Sequence, residues 1–97
     1  MKQKLYMTFD SKTAVFSNLH VQLSDAAAVR KFGDLVNGGN LQNNEFFRHP
    51  EDYSLFYVGE YDDESGELIG SLPKSLVTAS ALKFDNQNGV VKTPSIH

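Results

Sequence analysis

The chain has 97 residues, 40% of them hydrophobic and 11% aromatic, with a formal net charge of −3; this is a folding composition sized for one domain with a modest core. It contains no cysteine, which excludes disulfides, thiolate metal sites and cysteine nucleophiles and favours a cytoplasmic setting. No apolar run is long enough to span a bilayer, no signal-peptide core follows the basic start Met1-Lys2-Gln3-Lys4, and the acidic balance argues against a non-specific nucleic-acid coat.

Lys4 to Asp10 alternates as a strand, with Leu5, Met7 and Phe9 on one face and Lys4, Tyr6, Thr8 and Asp10 on the other. The polar run Asp10-Ser11-Lys12-Thr13 suits a turn. Val15 to Leu23 reads as a second strand. Val15, Ser17, Leu19, Val21 and Leu23 share a face, and Phe16 stands out on the polar face as the mark of a bulge or a partner surface. Ser24 then provides an N-cap and Asp25 a first-turn charge for a helix whose stripe is Ala28, Val29, Phe32, Leu35 and Val36. Asn37-Gly38-Gly39 stops it.

Asn40 to Asp52 is a long polar connection, tacked to the core by Phe46 and Phe47, with a single helical turn at Pro50-Glu51-Asp52. Tyr53 to Tyr61 is the strongest strand, and both of its faces carry large apolar groups. It is therefore covered on both sides or presents its second face, with Phe56 and Val58, to another subunit. Asp62-Asp63-Glu64-Ser65-Gly66 is hairpin-turn chemistry, and Glu67 to Leu72 returns as the partner strand. Pro73 is expected to end that strand, Ser75 to cap a short helix from Leu76 to Phe84, and Asp85 to His97 to form a flexible tail. The expected fold is α+β: a small antiparallel sheet of about four strands packed by one main helix, in the order ββαββ plus a short C-terminal helix, within residues 1–84.

Little in this pattern carries chemistry. Glu60, Asp62, Asp63, Glu64 and Glu67 form an acidic cluster. In an EF-hand register with its glycine at Gly66, however, position one is Tyr61 and position twelve is Leu72, and neither supplies a carboxylate. The cluster reads as a solvated hairpin tip. His20, His49 and His97 lack metal-ligand spacing, and His49-Pro50-Glu51-Asp52 reads as a turn rather than an acid–base site. No nucleophile elbow or phosphate loop is present. No enzyme, metal or cofactor is expected.

Charge is uneven: residues 1–40 hold five basic and three acidic groups, whereas residues 41–97 hold four basic and nine acidic groups. A local basic face on the N-terminal half is compatible with single-strand binding, which needs aromatic platforms beside positive charge. The candidates are Lys2, Lys4, Lys12, Arg30 and Lys31 for phosphates and Tyr6 and Phe16 for stacking. The same aromatics serve equally as core or dimer interface.

Three segments together carry a resemblance: Lys4-Leu5-Tyr6-Met7-Thr8-Phe9-Asp10-Ser11-Lys12, the helix around Ala28-Val29-Arg30-Lys31-Phe32, and the ordered run from His49 to Asp63 followed by Gly66. Over about residues 3–84 the chain resembles the small nonstructural protein of gokushovirus-type microviruses, single-stranded-DNA phages of bacteria. The resemblance implies an accessory protein in the host bacterial cytoplasm, acting around viral single-strand DNA synthesis or packaging. The expected partners are single-stranded DNA, bound weakly, or, as the alternative, viral or host replication proteins with no DNA contact. The homodimer expected beside them comes from the small domain and the two-faced strand, not from the resemblance. It supplies no catalytic residue.

Overall fold

The structure, a computed structural model, describes residues 1–84; the expected tail lies outside these residues. Four strands, β1 (Lys2–Asp10), β2 (Val15–Gln22), β3 (Tyr53–Asp62) and β4 (Leu68–Thr78), form one antiparallel sheet in the order β2-β1-β3-β4. Helix α1 (Asp25–Val36) crosses one face, joined there by the one-turn helices α2 (Glu45–Arg48) and α3 (Ala79–Leu82). This is the α+β fold expected, with the elements in the order ββααββα, in which the one-turn α2 is added to the expected ββαββ plus C-terminal helix.

Helix α1 begins and ends as its sequence dictates. The Ser24 hydroxyl accepts from the Ala27 amide at 3.1 Å, so an orphan first-turn donor is satisfied. At the other end Asn37 holds α1 to α3: its side-chain amide donates to the Gly33 and Leu82 carbonyls, each at 2.9 Å, and its oxygen accepts from the Phe84 amide at 2.8 Å. Asn44 caps α2 through the Phe47 amide and reaches back to the carbonyls of Leu35, Val36 and Gly38. The long connection is thus folded onto the helix end by one amide side chain. Phe46 anchors it, with its ring 5.5 Å from Phe32 and 4.9 Å from Tyr53. Phe47 lies under the Lys83 ammonium, 4.3 Å from its ring centre.

The core is small. Tyr6, Ala28, Phe32, Val36, Leu55 and Ala79 are its buried apolar members, and Leu35, expected in the stripe, is 44% exposed. Tyr6 and Thr8 face α1, so the more polar side of β1 is the covered one. A hydroxyl in that position needs a partner, and the Tyr6 hydroxyl donates to Asp25 Oδ1 at 2.7 Å.

Three expectations change in the sheet. In β2, Asn18 takes a left-handed φ of 57° and two residues bulge opposite Met7. Phe16 and Val21 consequently share a face, and the strand stops at Gln22 rather than Leu23. The fourth strand does not end at Pro73, and Leu76–Thr78 are strand, not helix. β4 is an edge strand, where a missing amide is tolerated at a bulge: Gly59 pairs with Gly70 and Tyr57 with Lys74, so Ser71, Leu72 and Pro73 stand opposite Val58 alone. The β-branched Val77 and Thr78 favour the extended chain, and α3 is left with one turn whose N-cap, Thr78, makes no side-chain capping bond.

The same region contains the strictest backbone requirement. Gly59 has a φ of 144°, and a Cβ there would run into the Ile69 carbonyl oxygen and lie 3.1 Å from Gly70 Cα. Gly59→Ala is expected to lower stability by at least about 2 kcal/mol, read from urea unfolding. Tyr6→Phe is expected to cost about 1–2 kcal/mol by removing a hydrogen bond to a carboxylate. Burial, and then the bond to Asp25, raise the Tyr6 pKa above the ordinary tyrosine value of 10.0. The unfolded chain therefore releases this proton first, and stability that is whole below pH 10 falls as pH rises further. The unfolding free energy measured from pH 9 upward should fall less steeply in Tyr6→Phe than in the wild type.

Candidate functional site

All the helices lie on the Tyr6 side of the sheet. Along β1, Leu5, Met7 and Phe9 alternate with Tyr6 and Thr8 and so point to the opposite face. The ladders extend that face. Leu5 pairs with Val21 and Phe9 with Phe16 on β2, Met7 with Phe56 and Gln3 with Tyr61 on β3, and Tyr61 with Leu68 on β4. Val58, in the bulge opposite Leu5, continues the row of Ser54 and Phe56. Among the described residues no helix packs on this face: Leu5, Met7, Phe9, Phe56, Val58 and Tyr61 are half-buried, and Phe16, Val21 and Leu68 are exposed.

The face has a fixed character. Phe9, Phe16 and Phe56 form an aromatic cluster, with ring centres 4.6, 5.2 and 5.7 Å apart. Phe16 remains 36% exposed, Val21 41% and Leu68 75%. Every charged residue of the four strands falls in the other register: Lys2 pairs with Asp62, Lys4 with Glu60, Asp10 with Tyr53 and Lys74 with Tyr57. The open face is therefore largely apolar, with Gln3, Ser54, Ser75 and Thr78 its polar members, and no charged strand residue belongs to it. Phe56 and Val58, expected at a subunit contact, both belong to it.

The residues expected to hold nucleic acid are dispersed. Tyr6 is fully buried and bonded to Asp25, so the assignment of its ring as a stacking platform is corrected: no face is left for a base. Lys2 and Lys4 lie at one end of β1, each in register with a carboxylate. Lys12 lies in the turn past the other end, beyond about 20 Å of strand. Arg30 and Lys31 are exposed on α1, away from the open face. Of the set, only Phe16 is on the open face, and Lys12 in the neighbouring turn is the cation nearest to it along the chain.

The titratable clusters have local explanations. Asp62 Oδ1 accepts from the amides of Glu64 at 2.8 Å and Ser65 at 3.3 Å, which hold its pKa below the usual carboxylate value. Asp63 accepts from the Gln3 side chain at 2.9 Å and the Met1 ammonium at 3.0 Å, and its pKa is lowered too. These carboxylates serve the hairpin tip. His20 is held to the Asn18 carbonyl at 2.7 Å and lines a groove of about 340 Å³ beside Lys31. His49 lines a different groove, beside Phe47 and Lys83, with Nε2 3.8 Å from Glu45.

The sequence reading missed Leu5, Met7 and Phe9 as members of an open face. A signal for it was present: the β1 charges Lys2, Lys4 and Asp10 all have the parity of Tyr6, leaving the odd positions uncharged. The roles of Asp25, Asn37 and Asn44 had no local signal, since their partners are supplied by the tertiary fold.

No helix among the described residues is long and apolar enough to cross a membrane. No curated protein and no solved structure matches the chain. The family described as Phage ORF5 protein matches residues 3–82, from the second residue of β1 to the last of α3, and the chain belongs to this family of small phage proteins.

Proposed function

We propose that this phage protein is a non-enzymatic accessory protein of the host bacterial cytoplasm, assisting viral single-stranded DNA synthesis or genome packaging by gripping protein surfaces. The observation that carries this reading is the charge-free apolar face built from Phe9, Phe16, Phe56 and their neighbours. Interfaces are depleted of charge and enriched in aromatics at their centres, whereas a single-strand site interleaves its aromatic platforms with cations. The stage of action rests on the resemblance to microvirus nonstructural proteins and is consistent with membership of the phage family.

The DNA reading has a measurable requirement. If Lys2, Lys4 and Lys12 all neutralise phosphates, log affinity for a single strand must fall with log salt at a slope of about −2. Fluorescence anisotropy with a labelled single-stranded oligonucleotide is expected to show no binding that survives moderate salt. Tight binding with that slope, weakened by Lys12→Gln and Phe16→Ala, would overturn the reading. Co-purification from infected cells is expected to recover replication or packaging proteins with the wild type and to lose them with Phe16→Glu.

A further inference from the structure

We infer that the open sheet face packs against the same face of a second copy, forming a two-fold sandwich of two four-stranded sheets. The inference rests on the reading of that face as a protein-contact surface and names its occupant, a second copy. The dimer is then the form that meets replication or packaging proteins, and Phe16→Glu loses them by breaking it.

Four features select a second copy. The first is charge. In a two-fold interface a charge at the axis meets its own copy, and a charge elsewhere needs an opposite charge on the same patch. This face has none, because all six charged strand residues fall in the opposite register.

The second is size. Four strands spaced at about 4.8 Å, each about eight residues long at roughly 3.3 Å per residue, give a projected face of roughly 500 Å². Two such faces bury about 1,000 Å², the minimum for a biological interface and below the roughly 1,200–2,000 Å² of stable specific ones, so the dimer is a weak one.

The third is the edges. Sheets that associate side by side need straight, regular edge strands. The β2 edge is broken by the left-handed Asn18 and the β4 edge by the Ser71–Pro73 bulge. Both edges are blunted, and association is left to the face.

The fourth is position. Phe9 and Phe16 lie towards one end of the face and Leu5, Val21, Tyr61 and Leu68 towards the other, with Met7 and Phe56 paired midway on the two central strands. A two-fold axis that lies in the interface plane and runs through the middle of the face therefore passes near Met7, and apolar groups flank it on both sides.

Sedimentation equilibrium of the full chain in the micromolar range is the test, with thermal melts at several concentrations. The expected mass is twice 10.8 kDa, with a melting temperature that rises with concentration. Phe16→Glu and Val21→Glu, both at partly exposed positions, should give monomers with an unchanged far-ultraviolet circular dichroism spectrum. The chain has no cysteine, so Met7→Cys places a single thiol at the proposed axis. A short bis-maleimide should join two such chains efficiently and should fail with Asp34→Cys on the exposed side of α1. A wild-type monomer throughout this range overturns the dimer. So does a dimer that survives both glutamate substitutions, or one that cross-links through position 34 and not through position 7. A monomer that still recovers replication proteins through Phe16 removes the dimer and leaves the protein-contact function standing.

Discussion

Tyr6 decides which side of this protein is inside. Its ring fills the middle of the sheet at zero exposure, and its hydroxyl reaches the carboxylate of Asp25 in the first turn of α1. A buried phenol must be hydrogen-bonded, so the helix start is held over β1, and Phe32 and Val36 follow it onto Leu55. With α1 held there, the alternation of β1 leaves Leu5, Met7 and Phe9 pointing away from every helix. The chain thus has one covering layer for a sheet that is apolar on both sides. Domains ordinarily bury each apolar sheet face against a second layer, and here that second layer is missing among the described residues.

The backbone irregularities serve the same end. Each of the outer strands carries a bulge, and the centre of β3 carries another where Val58 and Gly59 stand opposite Leu5. Bulges add local twist and re-aim side chains. At Asn18 the bulge brings Val21 into the row of Phe16, so that β2 contributes both to the open face. At Ser71–Pro73 it interrupts the ladder on the exposed edge. Gly59 permits the close approach of Ile69 and Gly70 that keeps β4 attached past its own bulge. The open face is consequently continuous across all four strands, while the edges beside it are discontinuous.

What was legible in the sequence was local. Ser24, the apolar stripe and Asn37-Gly38-Gly39 define α1 because caps and periodicity act within a few residues. Tyr53–Tyr61 and the turn at Asp62–Gly66 were legible for the same reason. Pro73 misled because its meaning depends on whether its strand is central or at an edge, which no neighbouring residue reveals. Tyr6 misled because its partner, Asp25, is 19 residues away and on another element. Phe16 was recognised as an anomaly but not explained, since the bulge that gives it a side of the sheet lies at Asn18, a residue with no glycine or proline to announce it. The site was therefore half visible: Phe56 and Val58 were readable from a strand with two apolar faces, whereas Leu5, Met7 and Phe9 needed the helix to be placed first.

Charge placement links the fold to the proposed role. Glu60, Asp62, Asp63, Glu64 and Glu67 gather at the hairpin, where amides and the Gln3 side chain hold Asp62 and Asp63, and the cations are spread over both ends of β1, the outer side of α1, α2, β4 and the turn after α3. Long-range attraction to a phosphate backbone sums over charges that share a surface, and these do not. What they share is a position away from the aromatic face, so that the surface most costly to leave in water is also the one with no electrostatic preference for nucleic acid. A short phage protein with a small core gains most from contacts that complete its sheet. The same contacts that carry its function would then also supply the layer its fold lacks.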